Sequence, residues 1–206
     1  MAGETQQAAG LPVLTPRTPA AELANLSLHP AREVRAAVAA HPNTAPFVLS
    51  TLAARFPGEV LGNPGLPLLR LANPHLLRDW PAPALHALAA HPEAPAWVRR
   101  LAAARPEPEL PAAVAQHPNL TPAEMEMLSR HSAWLVRARI AARPDLSRAL
   151  LETLRGDPDY GVRLAVASRP DLTAADLHAL LADPSRLIRQ AAHQAKLRPG
   201  KPLGNK

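Results

Sequence analysis

Cysteine is absent from the 206 residues, which removes disulfides, thiolate catalysis and every thiolate-ligated metal site. Only three Trp, two Phe and one Tyr are present. The interior must therefore be built from Leu, Val, Ile and Ala, and stacking platforms of the kind that read single-stranded RNA are scarce. Nowhere do about 18 apolar residues run together, as a membrane span would need, and residues 1–17 show no apolar run behind a basic start. A soluble, cytoplasmic, monomeric protein without a membrane partner is expected. Catalytic signatures are missing too: there is no nucleophile elbow, no His-Glu-x-x-His and no glycine-rich phosphate loop.

What the chain does have is a period. Ala90-His91-Pro92-Glu93, Gln116-His117-Pro118-Asn119, Ala142-Arg143-Pro144-Asp145 and Ser168-Arg169-Pro170-Asp171 recur at intervals of 26 residues. A phrase repeated at that distance marks one supersecondary unit that buries its apolar face only against stacked neighbours. The residue before proline forms a column, His41, Asn63, His91, His117, Arg143 and Arg169, spaced 22, 28, 26, 26 and 26. Seven units follow, over 18–42, 43–64, 65–92, 93–118, 119–144, 145–170 and 171–197, in a single repeat domain of 18–197. A disordered arm over 1–17 and a basic disordered tail over 198–206 are expected to flank it.

Each unit reads as two short helices. Thr121-Pro122-Ala123-Glu124 is a capping box with proline at the first helical position, Thr173-Ala174-Ala175-Asp176 is a variant, and Ser147 holds the equivalent place. Apolar pairs three apart (Leu49/Leu52, Met125/Leu128, Leu151/Leu154, Leu177/Leu180) continue the first helix. Pairs four apart (Val34/Val38, Val136/Ile140, Val162/Val166) mark the second. Asp157-Pro158 and Asp183-Pro184 read as caps of second helices, and Ser132 as the cap of the helix holding Trp134 and Val136. Alanine fills most remaining second-helix positions, which predicts a tight inner row with longer first helices outside. Around 56–80 the pattern weakens: extra prolines and glycines at Gly58, Gly62 and Gly65 predict a shortened or loosened second helix.

The succession Pro170-Asp171-Leu172-Thr173, Leu177, Leu180, Asp183-Pro184 and Ile188-Arg189 resembles the variant leucine-rich repeat family, similar in logic to HEAT and armadillo repeats. The resemblance is strong over 119–197, fair over 24–55 and 81–118, and poor over 56–80. It implies an all-α, right-handed solenoid of about seven helix pairs without strands, its second helices short and in part 3₁₀. One described member of that family carries an iron–sulfur cluster on N-terminal cysteines. The absence of cysteine keeps that property from carrying over.

Charge is uneven: residues 1–129 hold 9 Lys/Arg against 10 Asp/Glu, residues 130–206 hold 14 against 7. Such asymmetry raises nucleic acid as a partner of the C-terminal half. The candidate binding face is the arginine set Arg35, Arg137, Arg163 and Arg189, six residues before the column, with Arg139 and Arg186 nearby. The competing role is an inter-repeat ladder onto Asp157, Asp159 or Asp183 at helix starts. His41, His91 and His117 sit one repeat apart, about 8–10 Å for packed helices, too far to share a metal. Capping of helix C-terminal carbonyls explains them better, as Arg143 and Arg169 fill the same column. No cofactor is expected. The function expected first is a non-enzymatic scaffold binding a protein partner along the inner surface, and second a nucleic-acid binder. Third comes a DNA-base repair enzyme, as some HEAT-like solenoids are, using Trp80, Trp97, Trp134 and Asp79.

Overall fold

Proline and capping residues set where the helices start, and the repeat period sets how they stack. The computed structural model describes residues 12–197. Among them are fourteen α-helices, with no strand and no 3₁₀ segment. The chain divides into two compact units after Val98.

In the first unit, α1 (Ala20–Leu26), α3 (Pro46–Leu52) and α5 (Leu66–Ala72) are first helices. Their partners are α2 (Arg32–Ala40), α4 (Pro57–Leu61) and α6 (Ala82–Ala90). Second helices stack on one another, α2 on α4 and α4 on α6. Val34, Val38 and Ala39 of α2, Val60 of α4 and Leu85, Leu88 and Ala89 of α6 are buried between them. Each buried Val or Leu contributes about 1.5–3 kcal/mol, so a stack made of small residues is held by many modest contacts. The helix α7 (Ala96–Ala103) begins in this unit.

In the second unit, α8 (Glu109–Ala115), α10 (Trp134–Ala141), α12 (Tyr160–Ala167) and α14 (Arg186–Leu197) form the second-helix row. The first helices α9 (Pro122–Ser129), α11 (Arg148–Arg155) and α13 (Ala174–Leu181) pack against it. Val136 and Ile140, Val162 and Val166, and Ile188 and Ala192 form the buried seam, each with no surface exposed.

Several expectations need correction. First helices are 7 or 8 residues long, no longer than most second helices. The second helices are α-helical throughout, because proline stops the turn rather than tightening it. Thr121 and Thr173 do form capping boxes, with Glu124 and Asp176, and Ser147 caps α11. Ser132, however, does not cap α10: Ala133 stands at the N-cap with no side-chain bond, and the Ser132 carbonyl accepts from Arg137 instead. Likewise Asp157 accepts the Asp159 N–H in a turn before α12, and Asp159 is the cap. Asp183 does the same with the Ser185 N–H.

The weak stretch at 56–80 is short but closely packed. Helix α4 has five residues, and Gly58 within it and Gly65 before α5 are sites of close approach. A Cβ on Gly58 would lie 3.1 Å from His91 Nε2, and one on Gly65 would lie 2.3 Å from the Pro42 carbonyl. After α5 the chain runs without a helix until α6.

Of the expected arm over 1–17, residues 1–11 lie outside the described residues, as does the tail over 198–206. Thr15 and Pro16 are held against the first repeat: His41 Nε2 donates to the Thr15 carbonyl at 2.7 Å and Asn43 to the Pro16 carbonyl at 3.1 Å.

Candidate functional site

A second helix presents its last carbonyls unpaired, and here the following repeat supplies the donors. Asn63 donates to the carbonyls of Ala39 and His41, both at 2.8 Å. Arg143 Nη1 donates to Ala115 at 3.2 Å and His117 at 2.7 Å. Arg169 Nη1 donates to Ala141 at 2.7 Å and to Arg143. Asn63, Arg143 and Arg169 are thus inter-repeat clamps, each capping the helix one repeat earlier.

Residues of the pre-proline column also close the turn after them, by two interchangeable devices. In the imidazole version, Nδ1 of His41, His91 and His117 accepts the N–H of Asn43, Glu93 and Asn119 respectively. For His41 this fixes the Nε2–H tautomer that donates to Thr15. In the guanidinium version, Arg143 and Arg169 form two-pronged bonds with Asp145 and Asp171 two residues on. The Arg143 guanidinium holds the Asp145 carboxyl below the usual carboxylate range. The column's role is structural, and among the described residues no three His, Asp or Glu side chains gather to hold a metal.

The arginines six residues before the column form a second ladder. Arg137 grips Asp157 through Nε and Nη2 at 2.7 and 2.9 Å, and Arg163 grips Asp183 at 2.8 and 3.4 Å. The remaining arm of each turns to the loop before its own helix: Arg137 to the His131 and Ser132 carbonyls, Arg163 to Asp157 and Pro158. Arg189 does so with Asp183 and Pro184, and Arg35 with His29 and Pro30. One aspartate therefore serves two repeats: the Asp157 carboxylate receives Arg137 while its carbonyl receives Arg163. Burial pushes the Asp157 and Asp183 carboxyls up, but hydrogen bonds from Arg137 and Arg163 and from the Asp159 and Ser185 N–H groups outweigh it and hold both low.

Of the six arginines expected to form a binding face, Arg137, Arg163, Arg189 and Arg35 are thus engaged in the array. Arg35 lies over the buried Phe56 ring, 5.9 Å from its centroid, where later repeats place an aspartate. Arg139 reaches back to the Ala112 carbonyl at 2.7 Å and Gln116 Oε1 at 3.2 Å. Arg186 is exposed.

A third set of ion pairs escaped the sequence reading. Arg99 of α7 forks onto Glu124 of α9, both bonds 3.0 Å. Arg148 and Arg155 of α11 converge on Asp176 of α13, at 2.5, 2.6 and 2.9 Å. Both acids are the third residue of a capping box. At Asp176 and Glu124 alike, burial raises the pKa, and the arginine and threonine hydrogen bonds outweigh it. An acid spent on a cap with a cation one repeat earlier was the available signal.

Beside the exposed Arg186, the second-helix row of the second unit exposes apolar side chains: Trp134 and Leu135 on α10, Tyr160 on α12, and Leu187 and Leu197 on α14. Trp134 and Tyr160 hold the same repeat position, and the Trp134 ring lies across Gly161, where a Cβ would sit 2.8 Å from Cζ3. Of the other repair-enzyme candidates, Trp80 is buried in the core, Asp79 is exposed, and Trp97 lies beneath Arg70.

Residues 32–56, spanning α2 and α3, match the family model of the leucine rich repeat variant. Over those residues the chain is similar to one leucine rich repeat variant unit. No curated protein and no solved structure matches it. The matched residues include Arg35, bonded to the His29 and Pro30 carbonyls, and His41 and Asn43, bonded to the Thr15 and Pro16 carbonyls. The match falls in the first unit although the fuller repeat phrases lie over 119–197.

Proposed function

We propose that this helical-repeat protein is a non-enzymatic, cytoplasmic scaffold that binds a protein partner on its second-helix row. The observation that carries the reading is the occupation of Arg137 and Arg163 by Asp157 and Asp183. With those forks filled, the row offers a partner the half-exposed Trp134, Leu135, Tyr160 and Leu187. Tyr and Trp are the side chains that most often anchor protein interfaces. Nucleic acid would instead require free cations aimed at phosphates.

The experiment is affinity capture with and without nuclease, on the native chain and on a Trp134→Ser/Tyr160→Ser variant. Capture that survives nuclease and is lost in the variant supports the reading. Capture abolished by nuclease puts nucleic acid first.

A further inference from the structure

A cleft of about 260 Å³ opens at the irregular repeat, lined by Leu61, Leu66, Pro67, Arg70, Pro95 and Trp97. Four of these are aliphatic or proline, and Leu66 is buried. Arg70 is exposed at the end of α5, its guanidinium 4.4 Å from the centre of the Trp97 ring. Among the described residues it makes no ion pair or hydrogen bond. It differs in this from the arginines of the ladders, whose forks are filled.

A guanidinium stacked on an indole is held flat by cation–π attraction, while its N–H edges stay open in the plane. That is the preorganised half of a bidentate carboxylate pair. The cleft beside it is smaller than the ~300–1,000 Å³ typical of small-molecule sites, so it suits one apolar side chain. Leu66, Pro67 and Arg70 lie within one turn of α5, which puts apolar wall and cation side by side. An occupant must therefore carry a carboxylate and an apolar side chain close together. In a chain's last residue both hang from the same Cα.

We propose that this cleft captures the C-terminal residue of a partner polypeptide, its apolar side chain in the cleft and its terminal carboxylate on Arg70. The inference shares with the proposed function only the premise that partners are polypeptides. The α10–α14 row plays no part in it.

The test follows the Trp97 indole N–H resonance of the full chain, assigned by a Trp97→Phe spectrum, during titration with three short peptides. One ends in Leu with a free carboxylate, one is its C-terminal amide, and one is amidated with an internal Glu-Leu pair. The first should shift the resonance saturably and bind at least tenfold more tightly than either of the others. Arg70→Gln, checked for folding by its melting curve, should weaken it by a similar factor. Equal binding of the amide, equal binding of the internal Glu-Leu peptide, no saturable shift, or unchanged affinity in Arg70→Gln would each overturn the assignment. None of these would bear on capture through Trp134 and Tyr160.

Discussion

Arg169 donates to the backbone carbonyl of Arg143, its own counterpart 26 residues earlier, and Arg143 in turn donates to the carbonyl of His117 at 2.7 Å. The column is therefore a self-propagating device. Asn63 in the first unit does the same with the His41 carbonyl at 2.8 Å, so Asn and Arg both fill the place as anchors on the member before.

The two versions of the turn that follows make a prediction. In Arg169→His alone, Asp171 loses its guanidinium partner, whereas Arg169→His/Asp171→Asn recreates the His117-Pro118-Asn119 arrangement. The single variant should lose about 1–2 kcal/mol of stability, and the double variant less than the single. Urea melts of the pair check it.

Acid should unfold the array through its ladders. The carboxyls of Glu124, Asp157, Asp176 and Asp183 are all held below their usual values in the folded chain. Stability contributed by a depressed carboxyl is complete above its unfolded pKa of about 3.9–4.3 and is lost as pH falls through the folded value. The melting temperature should drop as pH falls below about 4. Asp157→Asn, which cannot ionise, should lower the plateau and reduce the drop.

Gly161 and Trp134 form a second couple. Glycine within a helix costs about 0.5–1 kcal/mol relative to alanine, so Gly161→Ala would ordinarily stabilise α12. Here the added Cβ meets the Trp134 ring at 2.8 Å and Asp159 Oδ1 at 3.0 Å. Gly161→Ala should therefore be destabilising in the native chain and less so, or stabilising, once Trp134→Ala has removed the ring. Thermal melts of the four chains settle the sign.

Much of this was legible from the period. A spacing of 26 makes Arg137 and Arg163 equivalent, and Asp157 and Asp183 were the acids within reach of the next helix start, so the ladder's members could be named before any coordinates. A one-dimensional period, however, states which positions are alike without stating which way a side chain reaches. Hence Asp157 and Asp183 read as caps, when their carboxylates turn toward the previous repeat and leave capping of α12 to Asp159. The column was legible as a set of carbonyl caps, but not that Asn63, Arg143 and Arg169 serve the helix one repeat back. Arg99–Glu124 and Arg148–Asp176 stayed hidden because their spacings, 25 and 28, do not share a common interval. The glycines of 56–80 looked like loosening, because nothing local announces that the Pro42 carbonyl and the His91 ring press on them.

The arginines of the second-helix row belong to the array, and Arg163→Ala tests this most directly, by melting and by duplex DNA titration across salt on the same preparation. Removing Arg163 leaves Asp183 buried without its partner, so stability should fall by about 2–3 kcal/mol. Native and variant chains alike should show no DNA binding that depends on Arg163. An unchanged melting temperature, together with loss of native DNA binding whose log affinity falls with log salt at a slope of about −3, would contradict it.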